Sequence, residues 1–348
     1  MSSSSPISLG PFRIEDGAFL APMAGITNPP FRQLCRELGA SLCVTELISC
    51  HAVMFVHSRL KNRRKIRGRK LLSLLEKYEG ESPYVVQLYG REPDIMADAA
   101  RVMADSGADI IDLNFGCPAR KVVKNGAGCG VALMRDPALL ARIASEVVAA
   151  VNIPVTAKIR LGYGPGEKNA VPVAQALAHS GVQLVTVHAR TRDQGHRGPI
   201  DMALLAEVVD AVDIPVVGNG GIQRPEDAEE MLRQTGCARV AVGQGAKGNP
   251  WLFRHILSGD APVPLDERIA ICRRHLALYV QWIGEERAAI EMRKHACWYL
   301  KGFDGAAAFR KRLGEAVSPD IFHQLLDELV RENPPADPPG AMDEKNNS

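Results

Sequence analysis

The sequence predicts a (β/α)8 barrel, of the TIM-barrel type, followed by a small all-helical bundle. Three observations carry that expectation. Short β-branched runs alternate with longer segments of helical period, eight times over about 250 residues. Polar side chains stand at the ends of most of these runs, where a parallel barrel builds its site. After a stretch rich in Gly and Pro, the pattern turns helical throughout.

The strand candidates, in order, are AFLAPM (18–23), LCVTEL (42–47), YVVQLYG (84–90), IIDLNFG (110–116), PVTAKIR (154–160), LVTVHAR (184–190), PVVGNGG (215–221) and RVAVGQG (239–245). Segments between them, such as PDIMADAARVMADSG and RPEDAEEMLRQTG, read as amphipathic helices. The second opens with Pro225 and acids and stops at Gly236, the expected order of start and stop signals. An open doubly wound sheet would carry G-x-G-x-x-G after its first strand; here that turn reads APMAGITNPPF. The barrel is therefore expected to occupy residues 1–257. SGDAPVP (258–264) is a linker by composition, and residues 265–332 form the bundle, with its two shorter helices at 305–317 and 319–331. NPPADPPGAMDEKNNS (333–348) is too rich in proline and polar groups to pack and is expected to be disordered.

Composition excludes several classes. Of the 348 residues, 46% are hydrophobic and 24% charged, ordinary values for a globular chain. No apolar run approaches the ~18–20 residues that span a bilayer. The start, MSSSSPISLGPF, lacks the basic and apolar regions of a signal peptide, so a cytoplasmic protein is expected, without membrane partners. Its eight cysteines should then be reduced thiols. They show no C-x-x-C pair and no tight Cys/His cluster, so no metal is expected. The net charge of +2 says little, but Arg59 to Lys70 (RLKNRRKIRGRK) holds eight basic residues and no acid. That run is a solvated loop or a patch that neutralises phosphates.

The strand ends place Pro22, Met23, Ala24, Glu46, Gln87, Asn114, Cys117, Lys158, Arg160, His188 and Arg190 at one mouth. The turns after strands seven and eight, Asn219-Gly220-Gly221 and Gly243-Gln244-Gly245, suit a phosphate, because backbone N–H groups approach an anion closely where no Cβ intervenes. Lys158 calls for an anionic partner, met equally by a reduced flavin or a Schiff-base substrate. Gln87 and Asn114 offer the paired donors and acceptors that read a flavin or pyrimidine edge. DLNFGCPARKVVKNGAGCGVALM (112–134) leaves open whether Cys117 and Cys129 form a disulfide, bind metal, include one reactive thiol, or only pack.

At these residues the chain resembles the tRNA-dihydrouridine synthases, most closely the bacterial B-type subgroup. The segments that carry the likeness are LAPMAGITNPPFRQLCRELGA, DLNFGCPARKVVKNGAG, VTAKIRLGY, VTVHARTR, IPVVGNGGI and, in the bundle, RKHACWYL. N-x-G-C-P followed by K-V-x-x-x-G-A-G is the specific part; APMAG or NGG alone would be weak. The resemblance implies an FMN-containing barrel that uses NADPH to reduce uridines of tRNA. It implies backbone contacts to the flavin from Pro22, Met23 and Ala24, and ring contacts from Gln87 and Lys158, with His188 beside the ring. Asn219, Gly220, Gly221, Gly243 and Gln244 would hold the phosphate, and Cys117 would be the catalytic acid. The family usually has Arg where this chain has Gln244, which removes a charge-assisted grip on that phosphate.

An RNA substrate gives weight to the basic residues. Lys121 and Lys124 in the loop, and Arg190 at the mouth, are expected to contact RNA. In the bundle's second helix Arg287, Lys294, Trp298 and Lys301 fall within a narrow arc at 100° per residue, a face suited to phosphates and base stacking, unless Trp298 is buried packing. Cys129, among glycines before an apolar helix start, reads as packing. The mouth is complete within one chain, so a monomer is expected. The competing functions are an FMN enzyme acting on a free pyrimidine and a tRNA-binding protein without catalysis.

Overall fold

The structure, a computed structural model, describes residues 5–62, 75–123, 128–259, 262–301 and 305–333. Lys124, residues 63–70 of the basic run and residues 334–348 of the expected tail lie outside the described residues. The chain divides into two compact units, one drawn from Met1–Ala246 with Pro250–Asp260, the other from Lys247–Asn249 with Ala261–Ser348.

The first unit opens with a hairpin, β1 (Ile7–Leu9) against β2 (Phe12–Ile14). Three-residue strands are too short for alternation to be legible, and the sequence reading does not include them. The barrel strands follow as β3 (Phe19–Leu20), β4 (Leu42–Cys43), β5 (Ile48–Ser49), β6 (Val85–Tyr89), β7 (Ile110–Asn114), β8 (Val155–Arg160), β9 (Leu184–His188), β10 (Val216–Asn219) and β11 (Arg239–Val242). All are parallel, in the order β4-β3-β11-β10-β9-β8-β7-β6-β5. The second expected strand, 42–47, is split. Only its start, Leu42–Cys43, is strand and pairs with β3; β5, just beyond its end, pairs with β6, and an isolated bridge joins Val44 to Val85, which closes the ring. The split has a local cause: Thr45 Oγ1 takes the Gln87 N–H at 3.0 Å.

Parallel barrel strands are buried on both faces, so their alternation separates an outer from an inner face. Val86, Leu88, Ile111, Leu113, Ala157 and Ile159 belong to the core beneath the helices. On the inner face, Phe19, Leu42, Val85, Ile110, Leu184, Val217 and Ala241 form a second core with Ile7, Leu9 and Ile14 of the hairpin, which plugs the N-terminal end. Further along the same strands the inward residues turn polar: Val85 is followed by Gln87, Ile110 by Asp112 and Asn114, and Leu184 by Thr186 and His188. The barrel is thus apolar at its plugged end and polar at its mouth.

Side-chain caps start several covering helices. Asn28 Oδ1 accepts from Phe31 N at 3.2 Å ahead of Pro29–Glu37, and Asp136 and Asp201 do the same for Pro137–Ala150 and Met202–Asp210. Arg32 projects from the first of these into a bidentate, buried pair with Glu81, at 2.5 and 2.7 Å.

The second unit contains the helices Leu265–Ile283, Glu285–Tyr299, Ala306–Glu315 and Pro319–Glu332. Gly284 at φ 80° ends the first and starts the second. Between these two helices lie four buried aromatic groups: His275 Nδ1 meets Tyr299 OH at 3.0 Å, and Tyr279 OH meets His295 Nε2 at 3.2 Å. No helix among the described residues is long and apolar enough to cross a membrane.

Candidate active site

The C-terminal strand ends open into a cavity of about 470 Å³, within the range of small-molecule sites. Every barrel residue expected to hold the flavin lines it, as do Cys117 and Arg190. Arg160 and His196 line it too. Among the described residues the lining therefore includes the cations Lys158, Arg160 and Arg190 and no carboxylate, an environment that favours an anionic ligand.

The first turn is fixed locally. Met23 N–H donates to Thr27 Oγ1 at 3.1 Å, and the Met23 carbonyl accepts from Ile26 N and Thr27 N at 3.0 Å. These bonds hold Pro22, Met23 and Ala24 along the cavity wall.

The floor is a chain of side-chain amides over a buried carboxylate. Asp112 accepts from Thr156 Oγ1 at 2.7 Å and from Gln87 Nε2 at 2.6 Å. Gln87 Oε1 accepts from Asn114 Nδ2 at 2.7 Å, and Asn114 Oδ1 accepts from Cys117 N at 3.0 Å. Burial pushes the Asp112 carboxyl up, while the bonds from Thr156 and Gln87 and the charge of Lys158 pull it down. The sequence reading omits Asp112. Its signal is present all the same: alternation sets it on the inward face with Asn114, and a carboxylate buried there requires partners.

Cys117 follows the end of β7, with its thiol half-buried in the cavity. Its carbonyl accepts from Val131 N at 3.2 Å. Gly130 sits against that carbonyl at φ +62°, where a Cβ would approach it to 2.7 Å. A glycine is required there, and it locks the returning chain onto the Cys117 turn. Burial pushes the Cys117 thiol up, partly offset by the Ala119 N–H and by Arg160, Lys121 and Lys158. The group is thus a protonated thiol at neutral pH. Cys129 is buried, and none of the eight cysteines forms a disulfide.

On the neighbouring strand β8, in register with Asn114, Lys158 Nζ donates to Asn219 Oδ1 at 2.9 Å. Burial, then the neighbouring Arg160, lowers its pKa to about 7. Arg160 ties two loops together: its Nε donates to the Gly116 carbonyl, and its Nη1 to those of Thr191 and Gly195, each at 2.9 Å. His188 is held neutral by burial and by Lys158 and Arg160. Its Nε2 lies 3.4 Å from Arg190 Nη1, which can only donate, so Nε2 is the acceptor and Nδ1 carries the proton. Gly220, at φ +115°, passes so close that a Cβ would come within 2.9 Å of the His188 ring and 3.4 Å of Arg190 Nη1.

Among the described residues of the first unit, the other expected RNA contact, Lys121, is not part of the cavity lining. Lys121 is in the short helix Arg120–Val123 and acts on the Cys117 thiol by its charge. In the second unit Arg287 is exposed, and Lys294 Nζ pairs with Glu291 at 3.2 Å. Trp298 is half-buried, with Lys247 Nζ 4.4 Å from its ring centroid. Lys301 is a correction: the helix ends at Tyr299, as Leu300 leaves helical geometry at φ -97°, ψ 49°, so helical spacing does not set Lys301 on that face. Elsewhere, Cys50, His51 and Glu92 bring potential ligand atoms within 4.8 Å of one another, a grouping that linear spacing conceals.

The chain is similar to known proteins over most of its length. A family model described as dihydrouridine synthase (Dus) matches residues 19–333. A tRNA-dihydrouridine synthase B of Pseudomonas aeruginosa is 40% identical over 91% of this chain and 93% of its own length. One from Xanthomonas axonopodis pv. citri is 38% identical over 95% and 98%. A solved structure described as a variant of NCR from Zymomonas mobilis shares the fold, with a TM-score of 0.50 at 16% identity over 77% of this chain and 95% of that one.

Proposed function

The chain belongs to the dihydrouridine synthase family, and from that premise we propose that it reduces particular uridines of tRNA to 5,6-dihydrouridine, with FMN as its cofactor and NADPH as the reductant. The observation that carries this reading is the cavity itself: one protonated thiol, three cations, no carboxylate and a glycine turn with no room for a Cβ.

The residues present fit a flavin mononucleotide. Gly220, Gly221, Gly243 and Gln244 offer backbone to a phosphate, with Arg190 Nη1 facing the same turn and supplying charge that Gln244 does not. Lys158, Gln87, Asn114 and His188, which line the same cavity, would hold the ring. When bound and reduced, the flavin supplies the hydride that goes to uracil C6.

The protein supplies the rest. Cys117 Sγ–H gives its proton to C5, so that one hydride and one proton saturate the double bond and the thiol becomes a thiolate. Arg160, Lys121 and Lys158 stabilise that thiolate by charge. The raised thiol pKa suits a donor rather than a nucleophile. A uridine in a folded tRNA must leave its stack to reach the cavity, and the basic residues Lys121, Arg287 and Lys294, with Trp298, are assigned to holding the RNA around it.

The test uses the purified protein. It should be yellow, and with NADPH it should form dihydrouridine in an unmodified tRNA transcript while leaving free uridine unchanged. A colourless protein would sink the flavin assignment. Turnover of free pyrimidine would favour a small-molecule reductase, and tRNA binding without product a non-catalytic RNA-binding protein.

A further inference from the structure

The floor of the cavity has a direction. Asp112 on β7 lies opposite Gln87 on β6 and Thr156 on β8 in the strand register. Both of its oxygens are acceptors, Oδ2 from Gln87 Nε2 and Oδ1 from the Thr156 hydroxyl. This decides which end of the Gln87 amide points downward. Gln87 Oε1 is then left to receive Asn114 Nδ2, and Asn114 Oδ1 to receive the backbone N–H of Cys117. Three side chains thus convert one buried acceptor into a hydrogen bond on the residue that bears the thiol. Filling the barrel at this level would be served as well by an apolar side chain of similar shape; orienting two amides would not.

We propose that Asp112 is a positioning residue for Cys117, which sets the direction of the Gln87–Asn114 amide pair and so holds the loop that presents the thiol. Its catalytic consequence rests on the reading of Cys117 as proton donor; its effect on the loop does not. Asp112→Asn can preserve the direction, because the new carbonyl accepts from Gln87 while its NH2 donates to the Thr156 hydroxyl. Asp112→Val cannot, and neither can Asp112→Ser, which is too short to reach Gln87.

Two measurements on the proteins as purified test this. One is the rate of alkylation of Cys117 by iodoacetamide as a function of pH, followed at that residue by peptide mass spectrometry. The other is single-turnover oxidation of the NADPH-reduced protein by tRNA. The Val and Ser variants should show an alkylation profile displaced severalfold and an oxidation step slowed about tenfold to a hundredfold. Both variants are compared with the parent at equal flavin content, because Gln87 and Asn114 also line the cavity assigned to the flavin. The Asn variant should match the parent in both. A folded Val variant with the parent's alkylation profile and oxidation rate would overturn the proposal. So would a folded Asn variant with a displaced profile and a slowed oxidation step, an outcome that can be observed even if neither Val nor Ser folds. Full turnover by Cys117→Ala would remove the proton-donor reading yet leave the alkylation comparison valid.

Discussion

Lys158 Nζ lies 2.9 Å from Asn219 Oδ1, a cation held by a neutral oxygen at the ends of β8 and β10. A neutral partner does not offset the desolvation of an ammonium, and the Lys158 pKa falls to about 7. Between about pH 7 and the ordinary lysine value the unfolded chain binds more protons than the folded one, so stability of the cofactor-free protein should rise with pH through that window. Lys158→Met removes this slope. The variant should exceed the parent in urea stability most at and below neutral pH, with the difference vanishing toward pH 10.5. Its kcat/KM should fall by about a hundredfold or more as the cation is lost from the reacting centre.

Cys117 should behave as an acid whose proton is retained beyond the ordinary thiol range, because burial raises its pKa. The rate of the tRNA-dependent oxidation step should stay level through neutral and mildly alkaline pH and decline only above that range. Cys117→Ser should slow that step by about 10²–10⁴-fold, the usual worth of a positioned acid, and leave reduction by NADPH intact. Stopped-flow measurement of the two half-reactions separates these outcomes, and equal slowing of both would count against the assignment.

Gly220→Ala introduces a methyl group 2.9 Å from the His188 ring, at φ +115°. The strained backbone should cost about 1–3 kcal/mol, and the His188 and Arg190 side chains must move away from the turn. The expected result is a protein that folds, purifies with little flavin and is partly restored by added FMN. A flavin content equal to the parent's would contradict the placement of the phosphate at this turn.

The site is legible in the sequence to the extent that a barrel strand reports its own direction. Gln87, Asn114, Lys158 and His188 interrupt runs of Val, Ile and Leu, and alternation sends each inward near a strand end; all four line one cavity. What the residues do with one another is less legible. Asp112 interrupts the same run as Asn114, but only the register across β6, β7 and β8 reveals its two donors. LCVTEL has the composition of one continuous strand, whereas the Thr45 hydroxyl takes the Gln87 N–H and breaks the ladder. Helical spacing carries Lys301 past a residue that ends the helix, a point that periodicity alone does not locate.

His275, buried between the first two helices of the second unit, has its pKa lowered to about 3 by burial, with Lys294 adding to the effect. The unfolded chain takes up that proton near the ordinary histidine value of 6.5. The stability held by neutral His275 is therefore complete above about pH 6.5 and is lost as pH falls toward 3. His275→Gln, which can still meet the Tyr299 hydroxyl, should flatten the acid limb of the stability curve. His295, lowered in the same direction, leaves a residual slope. Circular dichroism melts between these pH values would test it, and an unchanged acid limb would show that His275 does not carry the dependence.

Arg287 is exposed near the start of the helix Glu285–Tyr299, about two turns before Lys294 on the same helix. A solvent-exposed guanidinium in this position contributes little to folding, since surface charges are largely screened. If it contacts an RNA phosphate, Arg287→Ala should weaken tRNA binding across sequences alike. It should also reduce the slope of log affinity against log salt by about one. NADPH-dependent flavin reduction, which involves no RNA, should not change. Fluorescence anisotropy with labelled tRNA at several salt concentrations measures both effects; an unaltered slope would exclude Arg287 from the interface and shift attention to Lys121 and Arg190 at the barrel.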